Sequence, residues 1–262
     1  MVPSLLARAV ARRWLIPLGV ALAVLAALPR SATADSVDLV LVVANDVSRS
    51  VDDSEFQLER QGYASAMSDP KVLAAIRSGR NQAIAVCMVE WSSASQQKVV
   101  VDWAVVRDEA TAKAWGAAVV AAPRSFAAFT AIGAGIDFAM EQIARSGFNS
   151  DHLVIDVAGD GTNNSGRPVN EARDDAVKAG VTINGLAIIN DHPAMPIYAH
   201  VQPPGGLDKY YQDNVIGGAG SFVMVVHDFA TFASALVSKL VREIAEAPPN
   251  DGTPAHAAKI EQ

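Results

Sequence analysis

Cysteine is nearly missing from this 262-residue chain, in which Cys87 stands alone. One thiol closes no internal disulfide and builds neither a cysteine zinc site nor an iron–sulfur site. Aromatic residues are few, at 6%, and basic residues are outnumbered, with 21 Lys and Arg against 28 Asp and Glu for a net charge of -7. That balance excludes a protein that coats nucleic acid through bulk charge. The 18 glycines and 13 prolines are close to average usage, which excludes collagen-like and low-complexity architectures. Half of the residues are apolar, so the chain is not largely disordered. Its length suits one large domain or two small ones.

Long hydrophobic runs are also scarce, and the one that stands out is N-terminal. Arg8, Arg12 and Arg13 form a basic n-region, residues 14–28 are almost unbroken apolar, and Ala32-Thr33-Ala34 offers a small-x-small cleavage signature. Residues 1–34 are expected to be a signal peptide, with a retained anchor as the alternative. The run is short for a membrane span. Arg12-Arg13 also suits the twin-arginine export route, and no cysteine follows to carry a lipid. Cleavage would leave 17 basic against 28 acidic groups, a net charge of -11. The expected product is periplasmic or secreted, with no membrane span and no nucleic-acid partner.

Strand-like and helix-like segments alternate along the rest. Residues 37–44 (VDLVLVVA) read as a central strand buried on both faces. Residues 82–91 and 98–106 read as strands joined by six mostly polar residues, hence a hairpin whose second strand lies at the edge. Residues 152–158, 181–189 and 221–227 are further strands. Helical spacing covers 52–67, 108–121, 131–145, 170–179 and 229–245, with a short helical turn over 72–76. The pattern predicts a three-layer α/β domain over residues 35–246, doubly wound, with a mostly parallel sheet and one antiparallel edge strand. Residues 247–262 are expected to be a flexible tail. Residues 190–220 read as a long irregular loop on the ligand-binding edge, with Tyr198, Tyr210 and Tyr211 as candidate anchors for a partner.

The strongest chemical signal follows the first strand: Asp46-Val47-Ser48-Arg49-Ser50. A strand end turning into a helix points alternate side chains the same way, so one carboxylate and two hydroxyls can converge. Such oxygens suit a hard cation such as Mg²⁺. The alternative is that Ser48 or Ser50 simply caps the next helix. Asp160, in Gly-Asp-Gly-Thr after the strand at 152–158, and Thr130, before the helix at 131–145, belong on the same sheet edge. Weaker candidates are the S-x-x-K match ending at Lys98, the Gly217–Gly220 run, and His192 and His200 beside Asp191. Cys87 lies in an apolar strand and reads as an inert core residue.

Asp46, Ser48, Ser50, Thr130 and Asp160 in this order resemble the metal-ion-dependent adhesion site of von Willebrand factor type A domains. The likeness covers roughly residues 36–245 in its order of elements, and it extends to a bacterial family of exported proteins of this type that implies no particular activity. The resemblance implies a Rossmann-like sheet and Mg²⁺ or Mn²⁺ held by Ser48 and Ser50. Thr130 would bind directly or through water, and Asp46 and Asp160 largely through water. It further implies a non-enzymatic module that captures a carboxylate of a protein or other ligand. A hydrolase using the same ion and a structural module with a vestigial site are the alternatives.

Overall fold

In the computed structural model, residues 35–189, 203–227 and 229–245 are described. The expected signal peptide, tail and His192/His200 pair, together with Tyr198, lie outside them. Eight strands form: β1 (Asp35–Ser36), β2 (Leu39–Asp46), β3 (Ile84–Trp91), β4 (Gln97–Val106), β5 (Phe148–Asn149), β6 (Leu153–Gly159), β7 (Thr182–Ile188) and β8 (Val223–Val226). The helices are α1 (Asp53–Met67), α2 (Pro70–Ser78), α3 (Glu109–Ala121), α4 (Ile132–Arg145), α5 (Val169–Lys178), α6 (Leu207–Tyr210) and α7 (Phe229–Ala245).

Six strands make one sheet in the order β4-β3-β2-β6-β7-β8, and only the β3–β4 pairing is antiparallel. This is the doubly wound arrangement the alternation predicts. All eight residues of β2 are buried, since helices cover both of its faces. Alternation along β2 sorts the core: Leu39, Leu41 and Val43 pack under α1, α2, α3 and α7, whereas Val42 and Ala44 pack under α4 and α5. Burying each such aliphatic side chain is worth about 1.5–3 kcal/mol. The small β1–β5 pair adds a parallel bridge that the sequence pattern does not announce.

Residues 203–220 are more regular than the irregular loop expected there. Gly205 and Gly206 take left-handed backbone angles, then α6 runs on into a π-helical turn over Tyr211–Val215. Leu207, Tyr211 and Val215, four residues apart, all bury against the sheet. The flanking glycines and prolines mask that spacing in the sequence. Gly217 bridges to Ile183, and Gly218 and Gly220 carry positive φ, so the glycine run is a turn.

Candidate metal centre

The chain leaves β2 toward β3 on one side, while β6 lies on the other, so the winding direction reverses between β2 and β6. Open α/β sheets bind ligands at such a point, beyond the carboxyl ends of the strands. Asp46 ends β2 and Asp160 follows β6.

Three of the predicted oxygen donors form a chain of contacts there. Ser48 Oγ and Ser50 Oγ lie 3.0 Å apart, and Ser50 Oγ donates to Asp160 Oδ1 at 2.9 Å. Asp46 Oδ1 accepts from Ser48 N at 2.7 Å, which fixes the turn. The serines do not cap α1. Asp52 does so, accepting from Ser54 N and Glu55 N, with Glu55 closing a capping box. Thr130 is buried and makes no hydrogen bond to these residues among the described ones; its backbone is clamped at both polar atoms, its N–H donating to Asn164 Oδ1 at 2.9 Å and its carbonyl accepting from Asn164 N at 2.8 Å. The Thr130 hydroxyl makes no hydrogen bond among the described residues. No group of three or more His, Cys, Asp or Glu side chains gathers among those residues. A cation held here would depend on hydroxyl oxygens.

Several supporting residues escape sequence reading. Arg124 donates to the carbonyls of Val47 and Ser48 at 3.1 and 2.7 Å, pinning the serine turn from outside. Asn45, on the opposite face of β2 from Asp46, donates to Glu59 Oε2 at 3.0 Å. Burial pushes the Glu59 carboxyl well above the usual range, and the charges of Asp160 and Asp46 push the same way against Arg60. Asn163 Oδ1 accepts from Gly133 N, and Asn163 N donates to Tyr210 Oη at 3.1 Å. A buried-face position for Glu59 on α1 was legible from helical spacing, but its partner was not.

The two described tyrosines of the 190–220 stretch are not exposed anchors. Tyr211 is fully buried and Tyr210 is half-buried, tied to Asn163. The Tyr211 ring crosses the sheet because Gly185 and Gly159 leave room: a Cβ on Gly185 would sit 2.8 Å from Tyr211 Cδ1, and one on Gly159 would sit 2.8 Å from its hydroxyl and 3.2 Å from Asp46 Oδ2. The Tyr211 hydroxyl has no hydrogen-bond partner among the described residues and points at the Asp46 end of the site. Burial, then the charges of Asp46 and Asp160, push this phenol well above its ordinary range. Gly159→Ala is therefore expected to cost about 1–3 kcal/mol by overpacking. Urea unfolding checks it, and a change below about 0.5 kcal/mol would mean that the tyrosine has slack.

Two of the weaker candidates are set aside by their surroundings. Ser95 to Lys98 turns the hairpin instead of opening a helix. Cys87 is buried, its thiol pushed up to about 12 by desolvation, so it is inert.

A family model described as "Protein of unknown function (DUF1194)" matches residues 36–248. Among curated proteins none matches by sequence. Solved structures share the fold. Proximal thread matrix protein 1 from the mussel byssus, solved with a zinc-occupied MIDAS motif, is 16% identical with a TM-score of 0.57, covering 81% of this chain and 49% of its own. A von Willebrand factor type A protein from Catenulispora acidiphila is 16% identical with a TM-score of 0.55, covering 80% and 43%. The pilus adhesin SpaC from Lactobacillus rhamnosus GG is 12% identical with a TM-score of 0.56, covering 82% and 31%. This chain thus spans half or less of each of those proteins.

Proposed function

The chain belongs to the family described as protein of unknown function (DUF1194) and folds as a von Willebrand A-like domain, and on that premise we propose that it is an exported adhesion module. It captures a carboxylate of its partner through Mg²⁺ or Mn²⁺. The observation that carries this reading is the convergence of Ser48 Oγ, Ser50 Oγ and Asp160 Oδ1 at the point where the winding reverses, with helix capping left to Asp52.

The donor set fits a hard cation. Ser48 and Ser50 would hold the ion directly, and Thr130 directly or through water. Asp46 and Asp160 would act from the next shell of water. Contact through the neutral hydroxyls of Ser48, Ser50 and Thr130 would leave such an ion enough positive charge to attract an acidic side chain from outside. Buried Tyr211 Oη, aimed at the Asp46 end, is a further polar atom available to that water shell. Zinc in the adhesion motif of the mussel matrix protein supports divalent binding by such a fold, and the identity of the ion here is part of the proposal. Export rests on the basic n-region and apolar run of residues 1–34. Among the described residues no helix is long and apolar enough to cross a membrane.

Binding to the folded state alone stabilises it by about 2.7 kcal/mol at 100 times the dissociation constant. In a domain of this size that raises the melting temperature by about 5–10 °C. Scanning calorimetry with excess Mn²⁺ and with EDTA is expected to show this rise in the wild type and its loss in Asp46→Ala. Superimposable wild-type curves would remove the metal site and leave a structural module.

A further inference from the structure

Phe129 is 66% exposed, more than any other large apolar side chain among the described residues. Its backbone is nonetheless held on every side. Ser92 Oγ donates to Phe129 O at 3.0 Å and accepts from Ala128 N at 2.9 Å, while Phe129 N donates to Ser93 Oγ at 3.3 Å. Ala131 N donates to Ser92 O at 2.8 Å, and Asn164 clamps Thr130. A clamped segment thus presents an exposed aromatic ring on the residue next to Thr130, their Cα atoms about 3.8 Å apart.

Arg49 lies on the other wall. It separates Ser48 from Ser50, its N–H donates to Ala128 O at 3.0 Å, and its exposed guanidinium makes no ion pair among the described residues. The contrast with Arg124 is informative, because that guanidinium is spent on the carbonyls of Val47 and Ser48. The segment that carries the exposed ring and the serine turn that carries this exposed cationic side chain are therefore joined through their backbones, next to the proposed cation site. Fixed aromatic and arginine side chains that lose little freedom on binding are what anchor protein interfaces.

We propose that the partner is a protein segment whose acidic side chain is flanked by an aliphatic or aromatic one, with Phe129 receiving the apolar flank and Arg49 adding a second contact for the acid. The inference rests on the adhesion reading. Charge complementarity selects the occupant: the ion and Arg49 both favour an anion, and a small free anion would leave the Phe129 ring wet. Tyr211, fully buried, and Tyr210, half-buried and tied to Asn163, do not offer a free ring in its place.

The test uses the full chain loaded with Mn²⁺, whose bound water relaxes solvent protons until a carboxylate displaces it. The probes are acetyl-Leu-Asp-Leu-amide, acetyl-Gly-Asp-Gly-amide and acetyl-Leu-Asn-Leu-amide. Partial burial of leucine against the ring is expected to make the first about tenfold tighter than the second, and the asparagine peptide is expected to displace no water. Phe129→Ser brings the ratio to about one without altering Mn²⁺ affinity or melting temperature. Arg49→Gln weakens both aspartate peptides alike, by about threefold. Equal binding of the two aspartate peptides by wild type, or an unchanged ratio in Phe129→Ser, overturns this inference and leaves the metal site standing. Mn²⁺-dependent self-association without peptide preference assigns the patch to a second copy and also overturns it. Failure of wild type to bind Mn²⁺ removes the adhesion reading itself.

Discussion

Lys239→Met is expected to lower the unfolding free energy by about 3–5 kcal/mol at pH 8, the cost of stranding buried charge. Lys239, on α7, is fully buried, with its Nζ 2.8 Å from Asp156 Oδ1 on β6 and paired also with Glu243 one turn along α7. Glu243 accepts from Asn184 Nδ2 at 2.9 Å, and Asn184 Oδ1 accepts from Phe222 N at 3.1 Å, so the cluster ties α7 to β6, β7 and the entry to β8. Two carboxylates share one ammonium. Burial pushes Asp156 up to about 7; Lys239 opposes the shift and Glu243 reinforces it.

The sign follows from linkage. A carboxyl raised in the folded state holds a proton that the unfolded chain has released, so stability falls as pH rises from about 4 to about 7 and then levels. Glu59, also raised by burial, adds to the same slope. Asp156→Asn is therefore expected to flatten the slope without abolishing it. In Lys239→Met the penalty is larger at pH 8 than at pH 5.5, where the orphaned Asp156 carboxyl is protonated. Replacing Asp156 and Glu243 by their amides in the Lys239→Met background restores most of the loss. Urea unfolding at both pH values decides the matter. A penalty under about 1 kcal/mol at pH 8, or a larger one at pH 5.5, would show that the ammonium does not hold the cluster.

The second large effect is expected at Arg60→Met, again about 3–5 kcal/mol. The buried Arg60 guanidinium pairs with Glu90 inside the core and lies 4.8 Å from the Phe56 ring centroid. Without it, Glu90 keeps only the donation from Ser125 N at 2.8 Å. That hydrogen bond anchors the segment carrying Arg124, Phe129 and Thr130, so the loss is also expected to weaken Mn²⁺ binding several-fold. Arg60→Met/Glu90→Gln leaves no uncompensated charge and recovers much of the stability. Chemical unfolding and Mn²⁺ titration of both variants check the two halves separately. Loss of stability with unchanged Mn²⁺ affinity would uncouple the core pair from the site.

The layered α/β architecture was legible in the sequence because its causes are local. A strand buried on both faces must be continuously apolar, and VDLVLVVA, QAIAVCMVEW and HLVIDVA are nearly so. The polar residues between 91 and 98 can only turn back, which placed the antiparallel edge. Asp46, Ser48, Ser50, Thr130 and Asp160 were singled out as candidates from a local spacing, a shared sheet edge and the resemblance to the adhesion site. D-x-S-x-S is a local spacing, and strand ends of a parallel sheet share one edge.

Folding decided what surrounds those residues. Whether Ser48 and Ser50 cap a helix was open until Asp52 took the cap. The tyrosines of 190–220 were open to two readings, partner anchors or packing of the loop onto the sheet, and Tyr211 takes the second because two glycines from different strands vacate its seat. Phe129 passed as an ordinary apolar residue, and only its exposure on a clamped segment marks it. Asp156 lies inside an apolar strand and Lys239 inside an apolar helix, both fully buried. A buried charge is tolerated only beside its partner, and the partner comes from a distant part of the chain. Periodicity along the sequence records which face a residue occupies; it does not record what waits on the other side of that face.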